Sequence, residues 1–219
     1  MDPQEFKTQL ANLADGRLRN LKYVERVSSE FSEGHILRPM ANAMAIAMAY
    51  AQFEGYVKDA LQQYLEFVER QNVPRMDVNP CLLAYSWGPA FRALRTNSSL
   101  NARIKFARAR ADEAEHPLRF SKGEREIDTR SNLLFEVLDE LATTLGLDRA
   151  SLTPYKQKLN ALVRKRNSIA HGNRAETVTV VEVEESLHCV RALFAVIESC
   201  LHAAVDDRAY LREGSRASA

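Results

Sequence analysis

Apolar positions recur at helical spacing along most of the chain. Phe6, Leu10, Leu13, Leu18, Leu21, Val24 and Val27 predict an amphipathic helix over residues 3–30, with Gly16 as the point where it would break. Ser32-Glu33-Gly34-His35 marks a turn. A second helix is predicted over residues 36–71, about 50 Å long. Pro39 is tolerated in its first turn, and Met40, Met44, Met48, Tyr56, Leu61, Tyr64 and Phe67 carry the apolar pattern. Its middle, ANAMAIAMAYA, has small side chains on every face, so neighbouring helices can approach closely on more than one side. That makes it the central helix of a bundle.

Between Asn72 and Phe120 the pattern is interrupted by Val73-Pro74, Asn79-Pro80, Trp87-Gly88-Pro89 and His116-Pro117, which break helices into short pieces. This stretch reads as an insertion carrying a basic helix at about Arg103–Arg110. The helical pattern returns in SNLLFEVLDELATTLG, with Ser131 as N-cap, Gly146 as C-cap and an apolar stripe of Leu134, Leu138 and Leu141. Pro154 opens the next helix, YKQKLNALVRKRNSIAH. After a loop at Gly172–Arg174, the Thr179/Glu182 pair is placed to cap a last helix reaching about Arg212, ahead of a ragged GSRASA. The expected fold is all-α: one helical-bundle domain over residues 1–208, interrupted by the 72–120 insertion, with 209–219 as a disordered tail.

Composition supports this picture. The 219 residues are 46% hydrophobic and 27% charged, with eight Gly and seven Pro, as expected for one globular domain or two small ones rich in helix. A net charge of +1 gives no global attraction to nucleic acid or an anionic membrane, so any such binding must come from local clusters. Cys81, Cys189 and Cys200 are an odd count without a C-x-x-C pair, which suits a reducing compartment. All three read as small core residues. The longest uncharged run, Pro39–Phe53, is shorter than the ~20 apolar residues of a membrane span, and MDPQEFK lacks signal-peptide features. The expectation is a cytoplasmic protein without a membrane partner.

Nucleotide loops, hydrolase elbows and H-E-x-x-H are missing from the sequence. Two E-x-x-H pairs, Glu113/His116 and Glu185/His188, match part of a di-iron bundle site. His116 precedes Pro117, which disfavours helix there, and a solvated helix end and a surface pair explain the two as well. The segment RKRNSIAHG, Arg164–Gly172, is harder to read as packing. Arginine supplies a permanent fork for phosphate, histidine moves a proton near neutrality, and asparagine orients an imidazole or a ribose hydroxyl. These are the parts of a metal-free phosphodiester cleavage, in which His171 deprotonates a ribose 2′-OH or protonates the leaving oxygen while Arg166 stabilises charge on the phosphate. On a straight helix, Arg166 and His171 diverge by about 140°. Either the helix frays so that His171 swings round, or two copies of the segment pool their side chains across a two-fold axis. The second arrangement predicts a homodimer. As packing alone, Lys165 and Arg166 simply favour the C-terminal helix dipole.

Arg166, Asn167 and His171, in R-N-x-x-x-H form with Gly172 trailing, resemble the signature of the HEPN superfamily. Tyr50–Leu65 (YAQFEGYVKDALQQYL) and SNLLFEVLDELATTLGLD are similar to the central helix and the helix before the motif in its MAE-type subfamily. The resemblance covers about residues 5–205. It implies a bundle that dimerises around a composite cleft and cleaves RNA without metal or cofactor, as toxins and antiphage or stress effectors do, with a cognate antitoxin or defence partner. The alternative it carries is an inactive HEPN-like module that binds nucleotide, RNA or protein. Arg166, Asn167 and His171 are then the catalytic residues. Glu54 corresponds to a recurring acidic residue that either orients Arg166 or the substrate, or pairs with a basic residue for structure. Arg164, Lys165 and Arg174 would contact substrate, with Lys156 and Lys158 nearby. Arg103, Lys105, Arg108 and Arg110 form a second basic cluster, read equally as a solvated face.

Overall fold

The computed structural model describes residues 1–172 and 177–216. In chain order its helices are α1 (Pro3–Ser29), α2 (Arg38–Arg70), α3 (Pro80–Ser86), α4 (Gly88–Thr96), α5 (Leu100–Asp112), α6 (Lys122–Arg125), α7 (Phe135–Thr144), α8 (Lys156–Ala170), α9 (Val180–Asp206) and α10 (Glu213–Arg216). The fold is all-α, as the periodicity predicts.

α1 starts where Asp2 accepts the Glu5 N–H and Pro3 occupies the first turn. It runs through Gly16 unbroken. One interior glycine costs about 1 kcal/mol, less than the helix gains by burying Phe6, Leu10 and Leu21 fully. α2 is the central element: Tyr50, Phe53, Tyr56, Val57, Ala60 and Tyr64 along it are all at most 1% exposed. α1 packs antiparallel to it. Gln71 bonds the Met1 carbonyl (3.1 Å), Arg17 pairs with Asp59 (2.6 Å), and Asn20 bonds Gln52 (3.1 Å). Gly55 makes room for the Arg17 guanidinium, which would lie 2.8 Å from an added Cβ.

α9 lies parallel to α2, with Tyr56 on Phe194 (4.3 Å between ring centres) and the Asn42 amide donating to the Val178 carbonyl (2.9 Å). It meets α1 in the opposite sense through Lys7–Asp206 and Arg191–Glu25. α8 packs against α2 and α9 and completes an up-down-up-down bundle. α9 is long and apolar enough to cross a membrane by length and composition, but half of its most apolar window is buried inside the bundle.

Residues 72–120 form the short helices α3–α5, and α5 is the expected basic helix. The segment is tied to the end of α2: Glu69 accepts the Phe120 N–H (2.7 Å), and Arg119 donates to the Glu69 carbonyl (3.0 Å) and the Asn72 side chain (2.6 Å). Three local expectations are corrected. α7 begins at Phe135, not after Ser131. The Leu133 N–H is drawn to the Tyr50 hydroxyl (2.8 Å) and the Phe135 N–H to Asn160 of α8 (2.8 Å), so this segment is stretched across two helices instead of winding. Cys81 is exposed, unlike buried Cys189 and Cys200. Residues 209–216 are docked, not a loose tail. After Asp206 the chain turns at Arg208 (φ +49°), Asn79 donates to the Tyr210 carbonyl (2.8 Å), Arg212 donates to the Asp77 carbonyl (2.8 Å), and Tyr210 and Leu211 are buried. Gly146 does end α7 as expected, with φ +71° and the Leu147 N–H returning to the Ala142 carbonyl (2.8 Å).

Candidate functional site

α8 buries Leu159, Leu162 and Val163, which places Arg166, three residues beyond Val163, at the edge of that apolar face. The guanidinium lies over the Tyr50 ring, 5.0 Å from its centre, a cation–π contact strengthened by partial burial. Its Nη1 donates to Asn167 Oδ1 (2.9 Å) and Asn132 Oδ1 (3.4 Å). All three partners are neutral, and among the described residues no carboxylate pairs with Arg166. Its charge is held in place without an ion-pair partner among the described residues.

Tyr50 is 1% exposed. Burial, with negative Glu54 beside it, pushes its phenol up, against the Leu133 N–H and the Arg166 charge, which favour the phenolate. Tyr50 therefore stays neutral at physiological pH and serves as a fixed platform. Glu54, one helical turn along, accepts from Thr129 Oγ1 (2.5 Å) and pairs with Lys58 (3.2 Å). It joins the neighbourhood of Arg166 through Tyr50 and not by direct pairing.

His171 is the C-cap of α8. Its N–H bonds the Asn167 carbonyl (3.0 Å), and Gly172 follows in the left-handed conformation (φ +69°) with its N–H on the Ile169 carbonyl (3.0 Å). The helix is regular to Ala170, so it does not fray to swing His171 toward Arg166. The imidazole is exposed.

The other expected contacts divide. Arg164 is exposed. Lys165 forms an ion pair with Glu182, the capping-box residue of α9. Lys165, with the Thr179 N–H, holds the Glu182 carboxyl down at about 2. Arg174 lies outside the described residues. Arg164 and Lys165 line a groove of about 760 Å³ between α8 and α9 with Lys158, Glu185, His188 and Cys189, which takes in neither Arg166 nor His171. Lys156 pairs with Glu136 (3.2 Å).

Of the E-x-x-H pairs, Glu113 is engaged by Arg75 (3.7 Å) and Arg110 (2.9 Å). Among the described residues no three His, Cys, Asp or Glu side chains are grouped to hold a metal ion, so the di-iron arrangement finds no support.

Tyr50, Asn132 and Thr129 are members of this site that the sequence reading did not single out. The i, i+4 spacing of Tyr50 and Glu54 was the one local signal available. Asn132 and Thr129 reach the site only through tertiary contacts.

No curated protein and no solved structure matches the chain. A family model does, over residues 17–203; its description is RiboL-PSP-HEPN, and it does not specify the MAE-type subfamily. Because that match spans the four bundle helices and the R-N-x-x-x-H segment together, the chain belongs to the RiboL-PSP-HEPN family of the HEPN superfamily.

Proposed function

We propose that the protein is a metal-independent endoribonuclease whose site is completed by a second copy of the chain. The observation that carries this reading is Arg166, half-buried, fixed over Tyr50 and bonded, among the described residues, only to neutral acceptors. An anion is the missing partner, and a phosphate fits the guanidinium fork. In the reaction, His171 takes the proton of the ribose 2′-OH, the 2′-oxygen attacks phosphorus, and the P–O5′ bond breaks as the leaving oxygen gains a proton. The products are a 2′,3′-cyclic phosphate and a 5′-hydroxyl. Arg166 stabilises the charge on the phosphate oxygens, and Asn167 orients Arg166.

The regular end of α8 leaves Arg166 and His171 diverging within one chain, which favours pooling across a two-fold axis. An apolar surface suited to that pairing adjoins Tyr50 and Glu54. On α2, Met40, Met44 and Met48 are 64%, 56% and 45% exposed and share the face that continues to Ala51 and Glu54. The antiparallel register that sets Asn20 beside Gln52 carries Tyr23 and Val27 of α1, 66% and 52% exposed, to the level of Met48 and Met44. Such a stripe marks an interaction surface.

Purified protein incubated with total RNA in EDTA should release fragments ending in 2′,3′-cyclic phosphate, and His171→Ala should release none; cleavage that requires metal would defeat the proposal. Mixing Arg166→Ala with His171→Ala chains should restore about a quarter of the wild-type activity if the two groups meet across the axis, since half the dimers are mixed and each has one intact site. Met44→Glu/Met48→Glu should leave a monomer by light scattering and no cleavage. We further propose a toxin or defence-effector role, for which expression should arrest growth in a His171-dependent manner. A second reading, an inactive nucleotide-, RNA- or protein-binding module, draws on the exposed His171 ring. It predicts that wild type and His171→Ala behave alike on RNA.

A further inference from the structure

From Val78 to Ala111 the sequence contains no Asp or Glu, and it carries Arg92, Arg95, Arg103, Lys105, Arg108 and Arg110: a local charge of +6 in a chain whose net charge is +1. The structure concentrates these cations on one unit, the α4–α5 pair. Trp87, Phe91 and Phe106 pack edge-on and tilted against one another with ring centres 5.5–6.1 Å apart. Arg110 closes that cluster, its guanidinium 5.5 Å from the Trp87 ring and 5.6 Å from the Phe106 ring, and it is anchored by Glu113 (2.9 Å). Arg110 is therefore structural, contrary to its place in a simple solvated face.

The remaining five, Arg92, Arg95, Arg103, Lys105 and Arg108, are exposed, and none is in an ion pair among the described residues. Elsewhere several cations meet an acid: Lys165 with Glu182, Lys156 with Glu136, Arg130 with Glu140, Arg149 with Asp139. On α4–α5 the acids are confined to the end of α5, Asp112 and its cap Glu113, and Glu113 is taken by Arg110 and Arg75.

We infer that the α4–α5 arm is an RNA-docking element, binding the phosphate backbone remote from the Arg166 site through Arg103, Lys105 and Arg108, with Arg92 and Arg95 extending the track. The ligand class follows from charge complementarity, and it rests on RNA being the substrate. An anionic membrane is the rival partner for a basic helix, but the pattern on α5 opposes it. Leu100 and Ile104 are the exposed bulky apolar residues of α5, and Arg103, Arg108 and Lys105 are spread over about 200° around the helix, so there is no broad apolar sector to insert. Phosphates along a strand, by contrast, are met well by cations distributed around a helix.

Position gives the arm a role distinct from catalysis. The insertion is fixed to α2 at Glu69, 19 residues from Tyr50, or about 28 Å along the helix. That is the span of roughly eight stacked bases at 3.4 Å each. A strand that follows α2 from Arg166 to the level of that attachment covers this distance. The arm therefore selects for long RNA and contributes affinity, not rate.

The test uses the full chain with His171→Ala, so that RNA stays intact whatever the outcome of the cleavage assays. Binding of a fluorescein-labelled single-stranded RNA of about 20 nucleotides is followed by anisotropy across a salt series. Adding Arg103→Ala/Lys105→Ala/Arg108→Ala should weaken binding about tenfold or more and flatten the log–log salt slope by about 2, since each lost contact to single-stranded nucleic acid removes about 0.7. The control, Arg19→Ala/Lys22→Ala/Arg26→Ala on α1, removes three cations from another surface and should leave affinity within about twofold. Equal affinity in the arm variant, or an equal loss in the control, overturns the assignment. So does arm-dependent sedimentation with phosphatidylserine vesicles combined with unchanged RNA binding. If cleavage is observed with His171 restored, the arm variant should raise KM with kcat unchanged; a fall in kcat alone overturns it. Binding and cleavage fail independently: arm-dependent affinity in a protein that cuts nothing keeps the docking element and removes only the nuclease.

Discussion

Arg166 on α8 and Arg108 on α5 are both arginines on basic helices, but their surroundings are opposite. Arg166 lies half-buried against a tyrosine ring, with two asparagine oxygens accepting from its Nη1, whereas Arg108 is exposed and meets no acid among the described residues. Preorganised charge in a partly dry setting stabilises a transition state because no reorganisation is needed when the reaction occurs. Free charge in water gives attraction and reach, and salt screens it. Around the first, the chain invests a core: α2, α8 and α9 bury aromatic and branched side chains on facing surfaces. α4 and α5 bury no residue fully and rest on the Trp87 cluster.

The contrast is open to attack from several sides. The largest effect is expected in the core beneath the site, where Phe53→Ala should cost about 3–5 kcal/mol by urea unfolding, while Phe91→Ala on α4, 44% exposed, should cost less than about 1 kcal/mol. Equal losses would remove the distinction between bundle and arm. Next comes Arg166→Ala, expected to lower kcat about 10²–10³-fold with the helical circular dichroism unchanged. Arg166→Lys should recover little of it, because an ammonium cannot reproduce the fork. If lysine restores full rate, only the charge matters and the Tyr50 and Asn132 geometry is incidental.

A smaller effect is expected at the start of α9, where Thr179→Ala removes half of the capping box and should cost about 1 kcal/mol. The Glu182 carboxyl in that box is depressed to about 2, so its contribution is present above the ordinary carboxylate value and is lost as pH falls through about 2. The thermal midpoint of the wild type should accordingly drop between about pH 4.5 and 2, and Glu182→Gln should lie lower at neutral pH with a flatter acid limb. A steeper limb in the variant would contradict the Lys165–Glu182 pairing. Smallest of all, Arg103→Ala/Lys105→Ala/Arg108→Ala should change stability by no more than about 0.5 kcal/mol. A larger loss would make those cations structural.

Much of the fold was legible because it is written locally. A period of about 3.6 residues marks α1 and α2, the Thr179–Glu182 pair marks the start of α9, and Gly146 marks the end of α7. Each of these depends on neighbours within a turn or two. Where a local rule failed, a distant group had taken over the backbone: Tyr50 and Asn160 hold the Leu133 and Phe135 N–H groups and displace the expected cap at Ser131, and Asp77 and Asn79 capture residues 210–212.

The candidate site divides in the same way. The sequence by itself determined that Arg166, Asn167 and His171 sit at the end of one helix and that Glu54 lies on another, since spacing and capping settle helix position and register. Only the tertiary structure decided that Tyr50 forms the platform for Arg166, that Asn132 shares its fork, that Glu54 turns to Thr129, and that Lys165 is taken by Glu182 while Arg103, Lys105 and Arg108 of α5 meet no acid among the described residues. The physical reason is that a side chain's charge is worth what its surroundings make it, and those surroundings come from segments 17 to 116 residues away, which no local pattern encodes.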